Sequence, residues 1–290
     1  WAYALGWEAP DQEEEPLALD SKDFGNLVHE TLDSAVRTIE AGPGLAKADA
    51  AETHKAIADA AEKVAARWAQ ERPVPPELVW RRTQESAAEM AHAALAMDQD
   101  PLSGQHSWPE IPFNKTDPNL ANTLPWDPSQ KVQIPRTGIE IYGTIDRLDL
   151  SGDHARARVT DYKTGKVPDK VETIQLRAGG ELQRCLYAYA VKSLLGDHVE
   201  IDARLVYPSR GGGVFPMDDA SQRLEQLTYF LEVALANMRA GFAVIGPDSE
   251  SDYNDYAFAL PGNAKARYFR LKGPIARAHQ GDLPELWEIE

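Results

Sequence analysis

Two short segments in the middle of the chain constrain its fold more than any other feature. They have the sequences GTIDRLDL at 143–150 and TDYKTGK at 160–166, and each has the composition of a β-strand. Between them lies SGDH at 151–154, whose small and polar residues favour the turn of a hairpin. The two segments are therefore predicted to form neighbouring strands that carry Asp146 and Asp161.

The predicted hairpin gathers acidic and basic side chains on one face. If 151–154 are the loop, Asp146 lies opposite Val159. Alternate residues of a strand share a face, so Asp161 and Lys163 lie on that face too. A register one residue different would send Asp146 to the other face. Two carboxylates on one face favour a hard divalent cation, and a neighbouring lysine can orient a water molecule or a phosphate. These residues predict a metal-dependent phosphodiesterase.

The composition is that of a folded soluble protein. The chain has 290 residues, of which 43% are hydrophobic and 8% aromatic, which suits a full core. No run approaches about eighteen apolar residues and no signal peptide is recognisable, so we expect no membrane association. The single cysteine, Cys185, excludes an internal disulfide framework and a four-cysteine metal site supplied by this chain alone. It also favours a reducing, cytoplasmic location.

The charge is unevenly distributed along the chain. The net charge of −16 opposes a protein that binds nucleic acid over its whole surface, because phosphate neutralisation requires lysine and arginine. The acidic excess lies mostly outside 136–210, for example at 11–15 and 248–255. Basic residues concentrate inside that span: Arg136, Arg147, Arg156, Arg158, Lys163, Lys166, Lys170, Arg177, Arg184, Arg204 and Arg210. This pattern fits a basic groove on an acidic body, or DNA delivered by a partner subunit.

The order of elements predicts an α/β protein. Helices are predicted at about 21–40, 45–71, 77–97, 172–195 and 220–239, and strands at 132–134, 139–150, 155–163 and 201–207. Gly179 and Gly180 offer an alternative start for the fourth helix. The stretch 100–129 contains six prolines and is predicted to be a loop, and the chain after 246 is predicted to be irregular. Strands followed by a helix and a further strand favour a mixed sheet flanked by helices.

Three parts are predicted along the chain. Residues 1–130 form an N-terminal helical part, 131–245 form the core that carries the two central segments, and 246–290 form a C-terminal tail. The chain begins with tryptophan and not with methionine. We therefore expect it to be a fragment or processed domain of a longer polypeptide.

Two further motifs extend the pattern. The sequence GNLVH at 25–29 places His29 on the first predicted helix, and the i, i+4 spacing of Gln183 and Tyr187 puts both on one face of a later helix. In chain order, the motifs G-x-L-V-H, G-T-I-D-R-L-D, D-Y-K-T-G and Q-x-x-x-Y resemble those of the PD-(D/E)XK nuclease superfamily. More narrowly, they resemble the RecB-type nuclease domain at the C-terminus of AddB subunits of bacterial helicase–nucleases. The resemblance spans roughly 1–256, with gaps.

The resemblance implies a restriction-endonuclease-like αβββαβ core that cuts DNA phosphodiesters with Mg²⁺ or Mn²⁺. It assigns two catalytic carboxylates, Asp146 and Asp161, which are also metal ligands. Such nucleases carry a further acidic residue on the strand before the G-x-x-D element, and Glu110 in WPEIPF is the candidate. The remaining implied ligands are the backbone carbonyl of Tyr162 and the imidazole of His29.

The resemblance also implies the other catalytic roles. Lys163 would orient the attacking water and stabilise the charge that develops on the phosphate. Gln183 and Tyr187 would support the site and contact the DNA backbone. Asp149, by contrast, points away from the catalytic carboxylates on a regular strand, so we predict that it is structural, together with Arg147.

One departure from the family concerns an iron–sulfur cluster. Many AddB-type domains hold such a cluster with four cysteines, one before the first helix and three near the C-terminus. Here 1–3 resembles the stretch after the first cysteine, and Ser251 and Asn254 stand where cysteines are expected. Cys185 lies in the Q-x-x-x-Y helix, where no cluster ligand belongs. We therefore expect no iron–sulfur cluster.

The sequence thus predicts a Mg²⁺-dependent deoxyribonuclease of the exonuclease type, within an AddB/RecB-like helicase–nuclease that acts in double-strand break repair. Its partners would be DNA and a helicase or nuclease subunit, or further domains of the same polypeptide. Three alternatives remain open. They are a free-standing RecB-family exonuclease, a catalytically silent DNA-binding or scaffold module, and a hydrolase of smaller phosphoesters, which the acidic surface would suit better.

Overall fold

The computed structural model describes residues 16–97, 100–115, 123–171, 176–242 and 261–289. The stretch 1–3 and the two positions expected to hold cysteines, Ser251 and Asn254, lie outside these residues. Helices flank a mixed β-sheet, so the predicted α/β class with an N-terminal helical part is confirmed. None of the helices in the described part of the chain combines the length and apolar composition that a bilayer crossing requires.

Three helices precede the sheet: α1 (Ser21–Glu40), α2 (Ala50–Glu71) and α3 (Glu77–Ala96). Asp20 caps the first by accepting a backbone N–H of its first turn at 2.7 Å, and Asp49 caps the second in a capping box. The cap at Asp49 explains why the second helix begins later than the predicted residue 45. The three helices pack against one another, and the rings of Trp68 and Trp80 stack with centroids 6.2 Å apart.

Five strands of the described chain form one sheet. Their order is β1 (His106–Phe113), β4 (Gly143–Leu150), β5 (Arg156–Tyr162), β6 (Glu200–Tyr207) and β7 (Gly213–Pro216), while β2 (Val132–Gln133) and β3 (Glu140–Ile141) pair separately. β4 and β5 are antiparallel. β5 and β6 run parallel, because Glu200 N–H donates to Ala155 at 2.9 Å and Lys163 N–H donates to Val206 at 2.8 Å. The helix α4 (Gln183–Leu195) makes the crossover between them.

The strand β1 corrects the prediction of a loop over 100–129. That prediction rests on prolines, and two of them, Pro109 and Pro112, lie inside the strand. Proline removes a ladder hydrogen bond and is therefore confined to edge strands, and β1 is an edge of the sheet. The edge position tolerates both prolines, and it makes the strand of Glu110 a direct neighbour of the strand of Asp146.

The register of the β4–β5 hairpin differs from the predicted one by two residues. Leu150 pairs with Ala157, and the loop is five residues long rather than four. Continued by one residue beyond the pairs that the ladder shows, this register places Asp146 opposite Asp161 instead of Val159. An even shift leaves every side chain on its face, so the two carboxylates still share a face, as predicted.

Of the three predictions for the second half of the chain, one is confirmed and two are corrected. The helix α5 (Ala220–Arg239) has the predicted bounds. The helix predicted at 172–195, with Gly179 and Gly180 as an alternative start, begins at Gln183. Gly179, with φ 90°, ends a short 3₁₀-helix just before it, and 172–175 lie outside the described residues. The chain after 246 is not irregular in its described residues, which form α6 (Ala264–Leu271), α7 (Gly273–His279) and a 3₁₀-helix (Leu283–Glu288). These elements are too short to show a clear apolar period in the sequence.

By its internal contacts the chain divides into two compact units. The described residues of the first come from Trp1–Pro109, Tyr162–Val167 and Val206–Gly213, and they comprise α1 to α3 with the start of β1 and the ends of β5 and β6. Those of the second come from Glu110–Asp161, Pro168–Leu205 and Val214–Glu290, and they comprise most of the sheet with α4 to α7. The boundaries predicted at 130 and 245 stay a prediction.

Candidate metal centre

Two acidic side chains from neighbouring strands meet in the second unit. Glu110 on β1 and Asp146 on β4 are both half-buried, and each offers a carboxylate oxygen within 4.8 Å of the other. The backbone of Glu110 has φ 44°, in the left-handed region that costs a residue with a side chain about 1–2 kcal/mol. Like charges this close repel each other, and a divalent cation bound by both would remove the repulsion. The structure therefore brings together two of the predicted metal ligands.

Asp161 adds a third carboxylate on the next strand, β5. The β4–β5 register places it opposite Asp146, and its side chain is only 1% exposed. A buried carboxylate is costly unless it is hydrogen-bonded, paired or coordinated to a metal. The three predicted carboxylate ligands thus lie on three adjacent strands of one sheet.

A tyrosine hydroxyl on α4 lies close to the same charges. Burial raises the pKa of Tyr187, and three carboxylates raise that pKa further, since a nearby negative charge disfavours the phenolate. They belong to Asp146, Asp161 and Glu110. Gln183, one turn earlier, donates from Nε2 to the Tyr187 hydroxyl oxygen at 3.4 Å. The second unit therefore brings these five predicted residues together around a phenol that stays protonated.

The ring of Tyr187 packs against β1, the strand that carries Glu110. It meets the ring of Phe113 edge-on, with centroids 6.3 Å apart. Phe113 in turn lies over Gly143, where an added Cβ would come within 3.1 Å of the ring. Sequence reasoning missed this packing, although the glycine that opens the G-T-I-D motif was a signal, because a strand glycine often marks a close approach.

In the first unit, His29 on α1 meets the end of β5. Its Nε2–H donates to the backbone carbonyl oxygen of Tyr162 at 3.1 Å, and the two rings lie edge-on with centroids 6.3 Å apart. Adjacent ligands of an octahedral Mg²⁺, each about 2.1 Å from the ion, lie about 3.0 Å from one another. The imidazole and the carbonyl are therefore spaced as two such ligands would be. Tyr162 directly follows Asp161 in the chain.

Lys163 follows where β5 ends. Its backbone N–H donates to the carbonyl of Val206 at 2.8 Å, which fixes the main chain one residue beyond the strand. The next residue, Thr164, lies against α1, since a Cβ added at Gly25 would come within 3.2 Å of the Thr164 hydroxyl oxygen. The glycine of the GNLVH motif thus lets α1 approach the loop that carries the predicted catalytic lysine.

The opposite face of β4 carries a buried ion pair. Arg147 and Asp149 are 1% and 0% exposed, and a guanidinium nitrogen of Arg147 donates to Asp149 at 2.8 Å. Arg204 on β6 lies 4.0 Å from the same carboxylate and donates to the hydroxyl of Thr160 at 2.9 Å. The predicted pairing of Asp149 with Arg147, on the face away from Asp146, is confirmed, and the structural role of Asp149 stays a prediction.

Some arginines of the span 136–210 are buried and cannot line the basic groove that the sequence allows. The four buried arginines are Arg147, Arg158, Arg184 and Arg204. Arg158 pairs with Asp202 at 2.8 Å, and Arg184 pairs with Glu181 at 2.6 Å. Their charge is neutralised inside the fold, so only the exposed basic residues of the span can meet a polyanion.

The fold and the gathered carboxylates define a mixed α/β protein suited to a divalent metal ion. Its sequence matches the PD-(D/E)XK nuclease superfamily over residues 1–253 of 290, and the chain belongs to that superfamily. Membership implies a nuclease that uses divalent metal ions and acts on DNA. A comparison with curated proteins finds no match.

Proposed function

We propose that the chain is a Mg²⁺-dependent DNA exonuclease, with Mn²⁺ as an alternative ion, that works within an AddB/RecB-like helicase–nuclease in double-strand break repair. The observation that supports the chemistry is the group of three carboxylates on adjacent strands around the Tyr187 hydroxyl. Carboxylate oxygens are ligands that Mg²⁺ and Mn²⁺ prefer. The exonuclease action and the helicase context rest on the resemblance of the four ordered motifs to the RecB-type domain.

Five groups would hold the ion: the carboxylates of Asp146, Asp161 and Glu110, the carbonyl of Tyr162 and the imidazole of His29. The oxygen donors suit both Mg²⁺ and Mn²⁺. When bound, the ion would polarise a phosphoryl oxygen and lower the pKa of the attacking water.

The remaining residues would act on the water and the phosphate. Lys163 would hold the water in line and stabilise charge that develops on the phosphate. Tyr187, kept protonated by burial and the nearby carboxylates, would donate to a DNA backbone oxygen, and Gln183 would orient its hydroxyl. The water forms a new P–O bond as the bond to the leaving sugar oxygen breaks. No covalent enzyme intermediate is required.

The proposed setting is the cytoplasm, with DNA and a helicase or nuclease subunit, or further domains of the same polypeptide, as partners. The net charge of −16 supports a partner, because a strongly acidic chain is repelled by DNA unless another surface holds it. We also propose that no iron–sulfur cluster is present. Burial raises the pKa of the Cys185 thiol to about 12, whereas cluster ligation needs a thiolate.

The first test is cleavage and its dependence on metal. We expect the purified chain to degrade end-labelled single- or double-stranded DNA with Mg²⁺ or Mn²⁺, and to lose this activity in EDTA. Asp161→Ala and Lys163→Ala proteins, assayed in parallel, should be inactive. Cleavage that persists in both variants or in EDTA would refute the assignment. If no DNA is cut even when partner subunits are added, the chain is instead a catalytically silent module.

A second test separates exonuclease from endonuclease action. An exonuclease needs a free end, so we expect linear DNA to be degraded while a covalently closed circle of the same sequence stays intact under the same conditions. The circle linearised by a single cut is the matched control, and its degradation should resume. Equal loss of closed and linear DNA would mean that the chain is an endonuclease.

A further inference from the structure

Two loops of the first unit follow neighbouring parallel strands. Because β5 and β6 run in the same direction, their C-terminal ends lie at the same end of the sheet, where Lys163 N–H donates to Val206 at 2.8 Å. The chain continues as 163–167 after β5 and as 208–212 after β6, both within the first unit. Each of these loops presents an exposed basic side chain: Lys166 and Arg210.

The backbone of the turn that carries Arg210 is restricted by a hydrogen bond and by two glycines. Gly212 N–H donates to the carbonyl of Ser209 at 2.8 Å, and Gly211 has φ 81°. A Cβ added at Gly212 would lie 1.9 Å from the carbonyl oxygen of Tyr207, so only glycine fits there. The turn therefore holds the base of the Arg210 side chain in one place, which lowers the entropy that a contact with a ligand would cost.

Lys166 and Arg210 differ from most arginines of the basic span, although Arg177 is exposed as well. Four of those are buried, and two exposed ones lie against glutamates, Arg136 at 2.8 Å and Arg156 at 3.4 Å. Lys166 and Arg210 have no ion pair with any residue that the structure describes. Two unpaired positive charges on adjacent loops are suited to a polyanion with regularly spaced charges.

We propose that Lys166 and Arg210 bind backbone phosphates of the DNA, at the end of the sheet where Lys163 lies. The proposal rests on the nuclease function proposed above, and it adds the position of the substrate strand on the protein. A chain of net charge −16 repels DNA at long range, so the local attraction has to come from such exposed cations. Phosphate contacts do not depend on the base sequence, so Lys166 and Arg210 would position the strand without selecting its sequence.

The salt dependence of DNA binding tests the pair. Binding of a fluorescent oligonucleotide in EDTA, which prevents cleavage, is measured by anisotropy across a series of salt concentrations. The slope of log K against log salt is negative, and each lost phosphate contact lowers its steepness by about 0.7 for a single strand and about 0.9 for a duplex. We expect Arg210→Ala and Lys166→Ala each to lose about one contact, the double variant about two, and the effect to be the same for unrelated sequences. Arg210→Lys should keep the parent slope.

Matched controls come from exposed basic residues elsewhere in the first unit, Arg81 on α3 and Lys55 on α2. Arg81→Ala and Lys55→Ala should leave the slope unchanged, and all variants should unfold at the parent midpoint. A double variant with the parent slope, or a parent chain that does not bind DNA, overturns the proposal. If the parent cuts DNA and the slopes do not change, the nuclease function stands and only the phosphate contacts fail. If the slopes fall and nothing is cut, the nuclease function fails and the DNA contacts stand.

Discussion

Replacing Asp146 by asparagine is expected to lower the rate of DNA cleavage about 1000-fold or more, because losing a metal ligand removes several kcal/mol of transition-state stabilisation and about 4 kcal/mol corresponds to that factor. The fold should survive the change. Asparagine has nearly the same size, Asp146 is only half-buried, and its carboxylate faces that of Glu110 within 4.8 Å. Removing one of the three like charges relieves repulsion in the metal-free protein. We therefore expect an inactive but folded variant.

Two measurements together identify Asp146 as a ligand. The first is kcat/KM on end-labelled DNA with Mg²⁺. The second is the thermal unfolding midpoint with and without Mg²⁺, since an ion at a hundred times its Kd stabilises the folded state by about 2.7 kcal/mol. The Asp146→Asn protein should lose both the activity and most of the stabilisation by Mg²⁺. Asp59→Asn, on an exposed position of α2, should match the parent in both. A variant that keeps either property contradicts the proposed role.

The face of each strand residue could be predicted from the sequence, whereas the register could not. Alternation alone decides that Asp146 and Asp161 share a face. The register depends on how the loop closes, and here Ser151 closes it twice: its N–H donates to the Arg156 carbonyl at 2.9 Å, and its Oγ accepts the Arg156 N–H at 2.9 Å. Those bonds lengthen the loop by one residue. Nothing in the sequence SGDH distinguishes this closure from a four-residue turn.

The strand β1 could not be predicted from the sequence for a different reason. Proline disfavours an interior strand because it removes a ladder hydrogen bond, but an edge strand tolerates that loss. Which strand lies at an edge depends on the whole sheet and cannot be deduced from the local sequence. Only the resemblance to the nuclease family placed Glu110 on a strand. The burial of the arginines could not be predicted either, because it too depends on contacts between distant parts of the chain. Charged residues are rarely buried unless paired, and partners such as Asp202 for Arg158 lie far away in sequence.

Replacing Asp149 by alanine is expected to lower the free energy of unfolding by about 3–5 kcal/mol, because the buried Arg147 guanidinium loses its contact with the Asp149 carboxylate at 2.8 Å. Arg204, 4.0 Å from the same carboxylate, loses a favourable charge as well. A natural domain has a total stability of about 5–15 kcal/mol, so this loss is large. The aspartate three residues earlier should behave in the opposite way, since Asp146→Asn removes activity and keeps the fold.

Urea unfolding followed by circular dichroism measures the effect, with Asp146→Asn as the matched control on the same strand. The double variant Arg147→Met/Asp149→Leu removes both charges and fills the space with apolar groups, which for buried ion pairs is often neutral or stabilising. It should recover most of the loss, and Arg204 keeps its hydrogen bond to Thr160. If the alanine variant does not fold at all, recovery of folding in the double variant still attributes the defect to the broken ion pair. An alanine variant with the parent midpoint would show that the pair contributes nothing to stability, and Asp149 would then have to be tested as a residue of the site.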